Sequence, residues 1–174
     1  MSFYGTVAEA DTYHDDRGNA TWEALDTEEK EAALTRASDY LDRFYVEKLA
    51  SGRWVTMWCG VKTVSTQARA WPRDNATHYG EAVTDGTTPE AIEHAAYEAA
   101  LREAATPGSL LPDFTATSQG AVTQETVGPI TVKYAENDVM RGNRPPNMPV
   151  IPVIDGIVAG YLCPRADLPG VMVV

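Results

Sequence analysis

The sequence predicts a mainly α protein, a small helical bundle with a β-hairpin insertion and an extended C-terminal arm. Three observations carry this. Two long segments, 26–45 and 88–105, place small and apolar residues at helical spacing behind capping residues. Two β-prone runs flank Gly128 and Pro129. The stretch 138–150 is rich in Pro, Asn, Arg and Gly and too poor in apolar groups to fold alone. The expected division is a body over 1–137, with the hairpin at about 121–135, and an arm over 138–174 ending in a short helix.

Taken in order, Val7 to Arg17 reads as a short helix stopped by Gly18 and Asn19, residue types that tolerate the left-handed conformation. Asp26 and Glu29 form a capping-box pattern, and the helix they open should run to about Tyr45. Leu34, Ala37, Leu41 and Phe44 share one face of it. Burying Leu34, Leu41 and Phe44 contributes roughly 1.5–3 kcal/mol each, well above a surface ion pair. Gly52 and Gly60 bracket an aromatic segment with Trp54, Met57 and Trp58. Val64, Ala68 and Trp71 then suggest a short helix ended by Pro72, and 73–86 reads as a loop. Thr88 as cap and Pro89 as first helical residue open an alanine-rich helix to about Ala105. Its stripe of Ile92, Ala95, Ala96, Ala99 and Ala100 implies close helix packing. Past the hairpin, Pro152 can start a final helix carrying Ile154, Ile157, Val158, Tyr161 and Leu162, and Pro164 stops it.

The chain has 44% hydrophobic and 22% charged residues, ordinary for a globular protein, and neither a signal-peptide pattern nor an apolar run of membrane-spanning length. An intracellular protein with no membrane partner is expected. Cys59 and Cys163 stand far apart without metal-ligand spacing, which suits a reducing compartment and reads as two buried small side chains. The net charge is −11. Residues 1–106 carry 19 acids against 10 bases, and 107–174 carry 6 against 4. Such a surface repels phosphate and argues against a nucleic-acid partner, while a basic protein surface would suit it.

No phosphate-binding loop, dinucleotide fingerprint, HExxH, GxSxG or EF-hand loop is present, so an enzyme is not expected. Catalytic residues, metal ligands and cofactors are expected to be none. His14 beside Asp15 and Asp16 occupies adjacent helical positions that do not share a face, and His94 lies four residues from Glu90 and Glu98, an ordinary surface pairing. Arg53 and Lys62 are the bases near Trp54 and Trp58, so these rings read as core rather than as a stacking platform.

Three stretches read together: TYHDDRGNATWEALDTEEKEAALTRASDYLD at 12–42, ARAWPR at 68–73 and VGPITVKY at 127–134. The most specific positions are Tyr13, Arg17, Gly18, Asn19, Trp22, Lys30, Ala33, Leu34, Ala37, Tyr40 and Leu41, followed by Trp71, Pro72 and Arg73. These resemble a family of tailed-phage and prophage proteins labelled DnaT-like single-stranded-DNA-binding proteins, which look like head-tail connector adaptors. The resemblance implies a structural subunit of the virion neck. It would form a ring of twelve copies, dock on a portal protein and receive a tail-side stopper or tail terminator, with no sequence-specific nucleic acid. The alternative it implies, following the family label, is a replication accessory that binds single-stranded DNA. In the connector reading Arg141, Arg144, Val153, Ile154, Ile157, Tyr161 and Leu162 meet the portal; otherwise the final helix folds back to complete the body's core. The motif residues also have a plain packing role, with Trp22 stapling a loop to the capped helix and Arg73 pairing an acid.

Overall fold

The computed structural model describes residues 3–49, 51–112, 124–127, 130–133 and 148–163. Among them are five α-helices and four two-stranded antiparallel pairs. Helix α1, Val7–Asp15, is capped by Thr6, whose hydroxyl accepts from the Glu9 amide at 3.2 Å. The short α2, Ala20–Glu23, follows, then α3, Thr27–Phe44. Both bonds of the capping box form: the Glu29 amide donates to Asp26, and the Asp26 amide to the Glu29 side chain. Helix α4 is Glu90–Ala105, and α5, Pro152–Val158, runs into one turn of 3₁₀ helix, Ala159–Tyr161.

Helix α4 is the hub, touching α1, α2, α3 and α5. Its Ile92, Ala95, Ala96, Ala99 and Ala100 are fully buried, as are Leu34, Ala37 and Leu41 of α3. Small side chains let the two backbones approach, which is how an alanine stripe produces tight packing with little side-chain entropy to lose. Pro89 itself takes the cap position of α4, where Thr88 was expected.

The mainly α helical bundle expected from the sequence is corrected to a mixed α and β fold. Between α3 and α4 the chain forms β1, Val46–Lys48, with β2, Trp54–Thr56; β3, Val61–Lys62, with β4, Arg73–Asp74; and β5, Thr77–His78, with β6, Glu81–Ala82. Pairs of two or three residues are too short to leave a period-two pattern, so they are invisible to periodicity. Glycines with positive φ at Gly52, Gly60 and Gly80 supply the turns. No helix runs through Val64, Ala68 and Trp71. Instead the Gln67 side chain accepts from the Val64 amide and donates to the carbonyls of Arg69 and Pro72, satisfying an irregular loop. After α4, β7, Gln124–Val127, pairs with β8, Ile130–Lys133, placing Val127 opposite Ile130.

The cysteines are not two separate apolar side chains: Cys59 and Cys163 are joined by a disulfide, with Cα atoms 4.9 Å apart. Backbone bonds from Cys59 to Tyr161 and from Cys163 to Met57 flank it. Farther along, Tyr40 Oη donates to the Pro149 carbonyl at 2.6 Å and Tyr45 Oη to Asp155 at 2.7 Å. Helix α5 thus packs on the body, with Ile154 and Val158 fully buried.

Candidate functional site

The charge of this acidic chain is sorted by segment. Residues 43–73 hold six bases, Arg43, Lys48, Arg53, Lys62, Arg69 and Arg73, against one acid, Glu47. The remainder has 14 − 6 = 8 bases against 25 − 1 = 24 acids. This basic segment is the connection from the end of α3 through the β1–β2 and β3–β4 pairs.

The register of β1 with β2 pairs Val46 with Thr56, Glu47 with Val55 and Lys48 with Trp54. Side chains alternate across a strand, so Val46, Lys48, Trp54 and Thr56 share one face and Glu47 and Val55 the other. Glu47 is buried, whereas Lys48 is exposed and Trp54 is 47% exposed. The other three tryptophans, Trp22, Trp58 and Trp71, are at most 3% exposed. A half-exposed indole presents a flat apolar face with a polar N–H handle, a surface on which a planar ring can stack.

Arg43, Lys48, Arg53 and Lys62 are all exposed, and none forms an ion pair among the described residues. Lys62 Nζ rests on the Gln67 carbonyl at 3.1 Å, which leaves its charge uncompensated. The two remaining cations are structural. Arg69 lies 2.5 Å from Asp39 and 3.2 Å from Asp42; burial opposes its charge, but these carboxylates outweigh burial and raise its pKa. Arg73 is 3% exposed and donates to the carbonyls of Cys59 at 2.6 Å, Gly60 at 2.5 Å and Ala70 at 3.1 Å, with Trp58 at 3.5 Å. Among the described residues no acid stands opposite Arg73, where one was expected; burial pushes its guanidinium pKa down, and the Tyr4 phenol opposes that.

Next to the hairpin lies a groove of about 530 Å³ lined by Asp42, Val46, Thr56, Gly60, Val61, Lys62, Ala68, Ala70 and Arg73. Exposed cations, an exposed ring and an adjoining groove can neutralise phosphates and stack a base. A second cleft, of about 620 Å³ between α1 and α4, is lined by Glu9, Asp16, Glu90 and Glu93 among others and has the wrong charge for a polyanion.

Most of the sequence-marked residues serve the body. Tyr13 Oη donates to Glu98 at 3.0 Å, and Arg17 stacks 3.4 Å from the Tyr13 ring centroid. Gly18 takes φ +63°, Asn19 meets His14 Nδ1 at 3.0 Å, and Trp22 Nε1 donates to Asp11, which also pairs with Lys30. Leu34, Leu41, Trp71 and the cis-linked Pro72 lie in or beside the core. Of the residues assigned to a portal, Ile154 and Tyr161 are buried, Ile157 and Leu162 half-buried, and Val153 is 42% exposed; Arg141 and Arg144 lie outside the described residues. Sequence reasoning missed the hairpin face. Counting acids in a sliding window would have found it, since no acid occurs from Lys48 to Arg73.

No curated protein and no solved structure matches the chain. A family model described as "Putative DnaT-like ssDNA binding protein" matches residues 2–173. This overturns the connector expectation and its partners, the portal, the neighbours in a ring and the tail-side proteins. The functional statement carried by the match is single-stranded DNA, which also corrects the charge argument against a nucleic-acid partner: a net charge averages over a surface whose local sign differs. By a match that spans nearly all of it, this chain belongs to the DnaT-like ssDNA binding family.

Proposed function

We propose that this protein binds single-stranded DNA through the outer face of the β1–β2 hairpin, as a binding module with no catalytic step. The observation that carries the reading is Trp54, 47% exposed in a cross-strand pair with Lys48 and close in sequence to Arg53. Stacking of a base on an exposed ring is worth about 1–3 kcal/mol and tolerates any sequence. Arg43, Lys48, Arg53 and Lys62 supply the phosphate contacts. The Debye length is about 8 Å at physiological salt, so acids on remote faces are screened while these local cations are not. The nearby acids Asp39 and Asp42 are already held by Arg69. One stacked base and four phosphate contacts make a modest affinity that depends on salt.

All four tryptophans emit, but with the other three buried, a fluorescence change on adding an oligonucleotide reports on Trp54, and Trp54→Ala should abolish that change. Titration with a short oligo(dT) at low salt is expected to give saturable quenching. Trp54→Ala is expected to weaken binding roughly 5- to 150-fold by anisotropy of a labelled oligonucleotide, the equivalent of about 1–3 kcal/mol. Wild-type affinity in the variant, or no binding by the wild type, overturns the reading.

A further inference from the structure

We propose that the groove beside the hairpin accepts one unstacked nucleobase of the bound strand, with the adjoining phosphate on Lys62. The inference rests on the hairpin face being the single-stranded DNA site and adds a second, separate recognition element to it.

The geometry follows from the strand register. Val46 and Thr56, which line the groove, form the cross-strand pair next along the same face from Lys48 and Trp54. Two residues of strand cover about 6.6 Å at about 3.3 Å each, so Trp54 and the groove mouth are neighbours on one face. A strand that stacks on Trp54 and continues toward Val46 and Thr56 passes the mouth of the groove. The groove, at about 530 Å³, falls within the usual range for small-molecule pockets, roughly 300–1,000 Å³.

Its lining suits a planar, heteroatom-rich ring. Val46, Val61 and Ala68 offer apolar contacts for the ring faces. Thr56 Oγ1 accepts from the Trp58 amide at 3.2 Å, which leaves its O–H to donate to a base carbonyl or ring nitrogen. Arg73, 3% exposed, carries a charge answered by carbonyl oxygens and by no carboxylate among the described residues, so the groove has a positive wall toward electron-rich base edges. The Asp42 carboxylate is already engaged by the Tyr4 hydroxyl, Arg69 and the Ala70 amide. Lys62, exposed at the rim, is placed for the phosphate.

The test fills the groove. Ala68 is exposed, so Ala68→Trp obstructs it without entering the core, and Thr66→Trp, at an exposed neighbour outside the groove lining, controls for the added ring. Both variants are first matched to the wild type in thermal unfolding, with Val61→Trp as a second obstruction should Ala68→Trp fail to fold. Anisotropy is then measured with labelled oligo(dT) and with an all-abasic strand of the same length. The expected result is at least tenfold weaker oligo(dT) binding for Ala68→Trp, wild-type binding for Thr66→Trp, and unchanged binding of the abasic strand. Oligo(dT) affinity within twofold of wild type in both obstructing variants overturns the groove proposal, and an intact effect of Trp54→Ala would leave the hairpin reading standing. Equal weakening of both strands also overturns it, since the groove would then hold backbone rather than base. Wild-type protein that binds neither strand defeats both readings together.

Discussion

Arg73 offers the sharpest test of how the hairpin region is held. Replacing it by Met keeps an apolar stem and removes the guanidinium that gathers the carbonyls of Cys59, Gly60 and Ala70, at 2.6, 2.5 and 3.1 Å. The fourth contact, to Trp58 at 3.5 Å, is too long to count for much. Three acceptors then lose their donor in a region where Arg73 itself is 3% exposed. Each orphaned buried group costs about 1–3 kcal/mol, and part is returned because the arginine no longer has to be desolvated. A net loss of about 3–5 kcal/mol is expected. At roughly 2–4 °C per kcal/mol for a chain of this size, Tm should fall by about 6–20 °C. Arg73→Lys, with a single ammonium able to reach fewer carbonyls, should fall between. Thermal and urea unfolding followed by circular dichroism measures both. A Met variant that loses less than about 1 kcal/mol would show that water reaches these carbonyls and that Arg73 does not organise the loop.

Further outcomes follow from other places in the fold. Gly60 has φ +73°, and a Cβ there would lie 2.3 Å from the Asp74 carbonyl oxygen and 2.7 Å from the Ala76 nitrogen, whereas Gly52 at φ +82° faces open space. Gly60→Ala should therefore exceed the backbone penalty of about 1–2 kcal/mol that Gly52→Ala incurs, and equal urea midpoints would contradict the packing of β3 on β4. His14 is fully buried, its Nε2 has no hydrogen-bond partner among the described residues, and burial lowers its pKa from 6.5 despite the opposing charge of Glu98. The unfolded state then binds more protons than the native state just below pH 6.5, so stability should fall as pH drops through that window, and His14→Gln should remove the slope. Glu98, where bonds from Arg102 and Tyr13 outweigh the upward push of burial, is held below its usual 4.5 and adds a separate acid loss below that pH. Reducing the Cys59–Cys163 bond releases a 104-residue separation, and the chain-entropy estimate for a loop of that size is about 4.7 kcal/mol. An unfolding midpoint unaffected by reductant would contradict that contribution.

The two long helices, α3 and α4, were legible because their signals are local, whereas the short α2 was not expected and the helix expected through Val64, Ala68 and Trp71 is a loop. The Asp26–Glu29 box and the apolar face from Leu34 to Phe44 depend on neighbours within one or two turns, and the structure places each where its spacing requires. The segment between α3 and α4 was not legible, because its pairs are two or three residues long and are fixed by long-range partners. Gln67 loops back to Pro72, Arg73 reaches Cys59 and Gly60, and Cys59 reaches Cys163. Two tryptophans four residues apart received the same core assignment, yet Trp58 is 3% exposed and Trp54 47%. Spacing could not separate them; the register with Lys48 does. Net charge misleads for a related reason, since summing over the chain hides a segment with six bases and one acid.

The salt dependence of binding tests the hairpin face most directly. If Arg43, Lys48, Arg53 and Lys62 each neutralise a phosphate, log K should fall against log salt with a slope of about −2.8, or roughly 50-fold between 50 and 200 mM. The variant carrying Arg43→Gln, Lys48→Gln, Arg53→Gln and Lys62→Gln should show weak binding with a slope near zero. A wild-type slope near zero, or a variant that keeps the wild-type slope and affinity, would mean that single-stranded DNA is not held on the hairpin face.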